Sequence, residues 1–270
     1  MVHTEEPCHV LEGESGERVK NLESWEFDVL KIYNPLRNGH LKVWFDFLSN
    51  EVSGIPGDVL EAGVFQGKSF LAGAYVLSQV APEKKIYGYD TFSGFPPIGV
   101  PEDDPQRFED LHQEGLVSDA LIQRVRRNMS HLKYLNGLEK LNYETVSSSG
   151  AFTNTSQDSI ENLASYIELE NLEFVTGPFE ETMLPGQGPD GPIAAAILDC
   201  DLHASYLTAL EYIWPRLSSG GMIYLDEYYS LKFPGARIAV DSFLEGKKAS
   251  LKHVTDDFNG FERWWLLKHA

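Results

Sequence analysis

The stretch from Ser53 to Asp90 constrains this chain more than any other. Ser53-Gly54-Ile55-Pro56-Gly57 is a turn cluster, and Asp58-Val59-Leu60-Glu61-Ala62-Gly63 after it reads as a short apolar strand ending at a glycine. Ser69 to Gln79 has the apolar spacing of a helix, and Lys85-Ile86-Tyr87-Gly88-Tyr89-Asp90 reads as a second strand. Strand, glycine loop, helix and strand form a βαβ unit. Three more short runs rich in Ile, Val, Leu or Ala follow at Asn171 to Thr176, Ile193 to Leu198 and Gly221 to Leu225. Such alternation predicts an α/β fold with one doubly wound, mostly parallel sheet covered by helices.

Around that frame, residues 1–24 read as a polar, acidic tail, and 25–270 as a single domain. Trp25, Val29 and Ile32, then Leu41, Trp44, Phe45 and Leu48, recur at helical spacing on either side of Asn34-Pro35, which predicts two N-terminal helices. Thr91 to Glu170 is far too long for a simple crossover, so an insertion is expected at about 97–156. Its first part, Gly94 to Asp119, is rich in proline and carboxylates and holds too little apolar material to pack by itself, which suggests a lid. Leu121 to Leu138 reads as an amphipathic helix and Ser147 to Ser156 as a linker. Asp158, three residues before Glu161, reads as the start of another helix.

Charge narrows the partners. Lys plus Arg number 22 against 41 Asp plus Glu, a formal net charge of −19 in 270 residues. A phosphate backbone or an anionic membrane surface would be repelled, and no basic cluster offsets the total. Two cysteines, Cys8 and Cys200, support neither a disulfide framework nor a thiolate zinc site. The first residues lack the basic and apolar regions of a signal peptide, and no apolar run approaches the roughly 18 residues of a membrane span. The expectation is a cytoplasmic protein that binds a small molecule, with a homo-oligomer left open.

Two constellations carry chemistry. In Glu61-Ala62-Gly63-Val64-Phe65-Gln66-Gly67-Lys68-Ser69, glycines at a strand end let a ligand approach backbone amides at a helix N-terminus. Gly67-Lys68-Ser69 with Asp226-Glu227 suggests a P-loop NTPase or small-molecule kinase. The spacing argues against it, because the motif needs four residues between its glycines and Gly63 to Gly67 encloses three. Asp90 stands where dinucleotide-binding folds place a carboxylate for ribose hydroxyls. The second constellation is acidic: Asp199 and Asp201 follow one strand, and Asp226 and Glu227 follow another. Parallel strands would bring these four carboxylates to one sheet edge, and their repulsion calls for a hard divalent cation: magnesium, manganese or calcium.

The loop resembles the acidic-glycine loop of class I methyltransferases, which lay S-adenosylmethionine across the first strand ends. That likeness implies cofactor contacts from Glu61, Gly63, Gly67, Ser69, Asp90, Thr91 and Phe92. Asp90-Thr91-Phe92-Ser93-Gly94-Phe95-Pro96, Gly177-Pro178-Phe179-Glu180-Glu181-Thr182, Leu198-Asp199-Cys200-Asp201 and Leu217-Ser218-Ser219-Gly220-Gly221 running into Asp226-Glu227-Tyr228 resemble the macrocin O-methyltransferase (TylF-type) family over about Pro56 to Val240. The family's members are metal-dependent and methylate sugar hydroxyls of natural products. The resemblance implies a divalent metal, magnesium, on Asp199, Asp226 and Glu227, with Asp201 as catalytic base. The family pattern has Asp at the place of Glu227 and Gly at that of Cys200. His203 is a further candidate for proton transfer, and Phe179, Tyr224, Tyr228, Tyr229 and Trp264-Trp265 are candidates for an acceptor pocket.

Overall fold

A computed structural model describes residues 21–95, 99–147, 152–186, 188–189, 191–255 and 260–269. Most of the expected tail, the first residues of the insertion and residues 148–151 of the expected linker lie outside the described residues, as does Cys8.

The strands are β1 (Asp58–Ala62), β2 (Ile86–Asp90), β3 (Leu172–Thr176), β4 (Ile193–Leu198), β5 (Leu217–Leu225), β6 (Ser250–Thr255) and β7 (Glu262–Leu267). They form one sheet in the order β3-β2-β1-β4-β5-β7-β6. The first five strands are parallel, and β7 runs antiparallel to both β5 and β6. The helices are α1 (Ser24–Leu30), α2 (Lys42–Asn50), α3 (Lys68–Val80), α4 (Arg107–Gln113), α5 (Asp119–Asn136), α6 (Tyr143–Val146), α7 (Gln157–Tyr166), α8 (Phe179–Thr182), α9 (His203–Ile213) and α10 (Pro234–Leu244). The doubly wound, mostly parallel α/β fold is therefore as expected.

The central strands explain the two layers of helices. Every residue of β4, Ile-Ala-Ala-Ala-Ile-Leu, is buried. Ala195 and Ile197 join the core under α2, α3 and α7, while Ile193, Ala196 and Leu198 join the core under α9 and α10. Alternation on a strand sends successive side chains to opposite faces, and the small alanines let helices approach on both. Truncating Ile197 to Ala would remove roughly 2 to 5 kcal/mol, because the cavity left in such a core refills only in part.

Several local expectations are corrected. Trp25 and Val29 are 58% and 68% exposed, and Phe27 is the buried residue of α1. The helix is real, but it turns a different face to the core. α7 is capped by Ser156, whose hydroxyl accepts from Ser159 N–H, rather than by Asp158. β5 begins four residues earlier than its apolar run, at Leu217. β6 and β7 carried no expectation. The first part of the insertion also packs: Phe108, Leu111 and Val117 form a third core with Leu121, Ile122, Val125 and Tyr229. Its apolar residues suffice only when α4 and α5 pool them against the segment after β5. Arg126 adds a two-pronged ion pair to Glu109 at 2.8 and 2.6 Å between those two helices.

Candidate active site

At the carboxyl edge of the sheet the winding reverses between β1 and β4, the place where open α/β sheets leave a crevice. Gly63 makes the two loops fit there. Its φ is +93°, and a Cβ would lie 1.9 Å from the Asp199 carbonyl oxygen. Beside it, Asp90 Oδ2 accepts from the Val64 and Phe65 N–H groups, both at 2.8 Å, and Oδ1 accepts from Phe92 N–H at 2.8 Å. Two carboxylate oxygens offer about four lone-pair directions, so three are engaged in shaping the glycine loop. Asp90 is first the organiser of that loop, with limited capacity left for a ligand hydroxyl.

The acidic trio converges. One ligand oxygen each from Asp199, Asp226 and Glu227 lies within 4.8 Å of the others. Asp199 follows β4 and Asp226 follows β5, neighbours whose last residues Leu198 and Leu225 are in register. Glu227, one residue further along, is buried and held by Tyr206, whose hydroxyl lies 2.6 Å from Oε2. Burial, then the Asp226 charge, pushes the Asp199 carboxyl up to about 7. Burial raises Glu227 and Asp201 as well, reinforced in each case by the neighbouring carboxylates. Asp226 Oδ1 is buried without a hydrogen-bond partner. An orphaned carboxylate oxygen among groups that resist ionising together fits a divalent cation, and the all-oxygen donor set fits a hard one such as magnesium, manganese or calcium.

Two cavities meet at this edge. The larger, about 630 Å³, is lined by Tyr33, His40, Ser69, Tyr229, Lys232 and Arg263 above the floor of Asp199, Asp201, Asp226 and Glu227. The smaller, about 280 Å³, is lined by Gly63, Asp90, Thr91, Gly94, Pro178 and Phe179, with Cys200 and Ser205. Gly63, Ser69, Asp90 and Thr91 thus reach a cavity. Glu61, Gly67 and Phe92, expected at the cofactor, line neither. Glu61 is fully buried under the loop, with Oε1 accepting from the Ser69 hydroxyl at 2.6 Å. Gly67 caps α3, with the Ile160 side chain 2.7 Å from where its Cβ would be, and Phe92 packs on Phe174 at 5.8 Å between centroids. The same contacts dispose of the P-loop reading: Ile160 closes on Gly67, and Ser69 is committed to Glu61.

Other candidates divide likewise. His203 lines neither cavity; its backbone N–H donates to Asp103 Oδ1 at 2.8 Å, tying α9 to the insertion. Tyr224 and Tyr228 are buried, donating to His40 O and to Asp241 Oδ1. Trp264 stacks on His253 at 4.3 Å, and Trp265 packs on the core. Only Tyr229 and Phe179 of that aromatic group reach a cavity. Sequence reading missed Tyr33, Phe65, Phe152 and Lys232 as lining residues and Tyr206 as the support of Glu227. Phe65 lay within the glycine loop, a usable signal. The others come from distant elements with no motif of their own.

A sheet of this order, with an acidic-glycine loop after β1, a carboxylate closing β2 and a ligand crevice at the β1–β4 reversal, is that of a class I methyltransferase. The chain belongs to the macrocin-O-methyltransferase (TylF) family, whose model matches residues 40–142 and 142–265. Among its relatives is the 8-demethyl-8-(2,3-dimethoxy-alpha-L-rhamnosyl)-tetracenomycin-C 4'-O-methyltransferase of Streptomyces olivaceus, 28% identical over 176 residues, 65% of this chain and 54% of that protein. The chain thus matches about half the length of that relative. Mycinamicin III 3''-O-methyltransferase of Micromonospora griseorubida is 26% identical over 211 residues, 77% of this chain and 68% of the relative. Among solved structures, the O-methyltransferase NovP has the same fold, with a TM-score of 0.57 and 20% identity over 83% of this chain and 79% of that one.

Proposed function

We propose that this chain is a magnesium-dependent O-methyltransferase that moves the methyl group of S-adenosylmethionine to a hydroxyl of a sugar or other polyhydroxylated small molecule in natural-product biosynthesis. The observation that carries this reading is the convergence of Asp199, Asp226 and Glu227 in a cavity adjoining the one built by Gly63, Asp90 and Thr91. The names of the relatives, which methylate oxygens of tetracenomycin and mycinamicin compounds, agree with it.

In this reading Asp199, Asp226 and Glu227 hold the metal, Gly63, Asp90 and Thr91 hold the cofactor, and the larger cavity takes the acceptor. When bound, the cofactor supplies an electrophilic methyl group and the cation lowers the pKa of the acceptor hydroxyl. Asp201 accepts the hydroxyl proton on its carboxylate. Burial and the neighbouring carboxylates raise its proton affinity, which strengthens it as a base. Tyr33, Tyr229 and Phe233 line the acceptor cavity and offer it apolar ring surface.

Calorimetric titration with S-adenosylhomocysteine, followed by turnover on hydroxylated acceptors with EDTA and then excess magnesium, tests this. Cofactor binding with chelator-sensitive, magnesium-restored turnover is expected. Full turnover after exhaustive chelation would refute the metal role, and failure to bind the cofactor would refute the whole reading.

A further inference from the structure

A methyl group that passes from one cavity to the other has to cross where they meet. Four residues line both cavities: Phe65, Phe152, Asp199 and Asp201. The two carboxylates have roles in the reading above. The two rings do not, and they come from segments 87 residues apart, one in the glycine loop and one at the end of the insertion.

Their geometry is built rather than incidental. The Phe65 and Phe152 centroids lie 5.0 Å apart at 89°, edge to face, and Phe95 lies 4.9 Å from Phe152 on the cofactor side. Both residues have left-handed backbone, φ 50° for Phe65 and 60° for Phe152, which side chains other than glycine seldom adopt. Such strain persists only where the surroundings enforce it, and it gathers at ligand sites. Here the surroundings are a clamp between the two segments. The Thr155 hydroxyl donates to the Phe65 carbonyl, and Gln66 Nε2 donates to the Asn154 carbonyl at 3.1 Å.

Resting on the cofactor assignment above, we infer that Phe152, paired with Phe65, forms an aromatic partition that holds the sulfonium end of S-adenosylmethionine and distinguishes it from the uncharged thioether product. A ring face attracts a desolvated cation through its quadrupole more strongly than it attracts a neutral sulfide. On transfer, the carbon–sulfur bond breaks with its electron pair left on sulfur, the new carbon–oxygen bond forms, and the hydroxyl proton goes to Asp201. The sulfur loses its charge, so its attraction to the rings weakens with the reaction and release of the product is favoured. The insertion thereby contributes a cofactor-selecting residue to a site otherwise made by strand ends.

The test is calorimetric titration of S-adenosylmethionine and S-adenosylhomocysteine, separately and with magnesium present, into the wild type, Phe152→Leu and Phe152→Tyr. Leucine keeps apolar bulk and meets the same backbone strain, but it has no ring. The expected result is a Kd for S-adenosylmethionine raised about 3- to 30-fold in Phe152→Leu, a change below about 2-fold for S-adenosylhomocysteine, and near-wild-type values in Phe152→Tyr. Equal weakening of both ligands, or no weakening of either, overturns the partition, since a plain apolar wall treats the two alike. If Phe152→Leu fails to fold, Phe65→Leu carries the same comparison from the other segment. A wild-type protein that binds neither ligand refutes the cofactor reading instead.

Discussion

Replacing Tyr206 by Phe probes how the acidic cluster is held. Tyr206 is fully buried on α9, and its hydroxyl has three neighbours: Glu227 Oε2 at 2.6 Å, Leu198 O at 2.9 Å and Glu227 N–H, which donates to it at 3.1 Å. One hydroxyl hydrogen cannot serve two acceptors. With Glu227 protonated, as its burial favours, the carboxyl can donate to the tyrosine and the tyrosine to Leu198. With Glu227 ionised to bind a cation, the tyrosine hydrogen has to turn to the carboxylate. Deleting the oxygen strands the Glu227 N–H and carboxyl together, and at about 1 to 3 kcal/mol for each buried unsatisfied group the loss should be about 2 to 6 kcal/mol. Urea unfolding without metal would measure that. Magnesium affinity should fall about 10- to 100-fold, the usual effect of removing a partner that orients a ligand. S-adenosylhomocysteine affinity should not change. An unaltered magnesium Kd in a destabilised Tyr206→Phe protein would refute the view that Glu227 is a ligand positioned by Tyr206.

Three other outcomes follow from the same geometry. Asp199→Asn should weaken metal binding, with part of the rate recovered by excess magnesium, while Asp201→Asn should retain the metal and slow single-turnover transfer by about 10² to 10⁴; the opposite pattern in metal titrations reverses the two roles. Glu61, raised by burial, holds its proton in the folded chain over a range where the unfolded chain, with a pKa of about 4.3, has lost it, so stability falls as pH rises through that range. Glu61→Gln should therefore flatten the decline in Tm as pH rises above the unfolded value, and an unchanged slope would contradict a buried, neutral Glu61. Gly235→Ala would set a methyl group 2.0 Å from Asp103 Oδ1 and should destabilise the chain by about 1 to 3 kcal/mol. In an Asp103→Ala background that loss should shrink, whereas strict additivity in urea unfolding would show that the two do not collide.

What was legible in the sequence was what is local. Asp58 to Asp90 announces strand, loop, helix and strand because each element's pattern is complete within its own span. The acidic cluster Asp199, Asp201, Asp226 and Glu227 was legible because its two pairs follow apolar runs that read as strands, while the family resemblance rather than spacing singled out Asp199, Asp226 and Glu227. β6 was not, since Lys252, His253, Val254 and Thr255 are exposed and carry no core-facing pattern. β7 was not, because Trp264, Trp265, Leu266 and Leu267 run together without alternation. Glu61 misled for a different reason: an acid at a strand end is expected to meet ligand, yet here the alternation of β1 turns it under the loop onto Ser69. Phe152 was hidden because nothing local says that a residue between a serine-rich stretch and α7 folds back onto a loop 87 positions earlier.

The acidic site itself is a consequence of register. Asp199 and Asp226 stand side by side because Leu198 pairs with Leu225, and a slip of one residue would turn one carboxylate to the opposite face of the sheet. That pairing does not extend unbroken from the start of the two strands. Ile193 pairs with Leu217, but Ala195 pairs with Met222, so β5 takes up three more residues than β4 in between. The surplus is accommodated at Gly220 and Gly221. Gly220 has φ +80°, and a Cβ on Gly221 would lie 2.8 Å from both the Ala194 and Ser218 carbonyl oxygens. Gly220 N–H then bonds to Lys268 O and Lys268 N–H to Gly221 O, which fixes the irregular segment to the end of β7. The glycine pair at the closed end of the sheet therefore helps set which carboxylates meet at the open end, and the antiparallel β7 is part of what holds that setting.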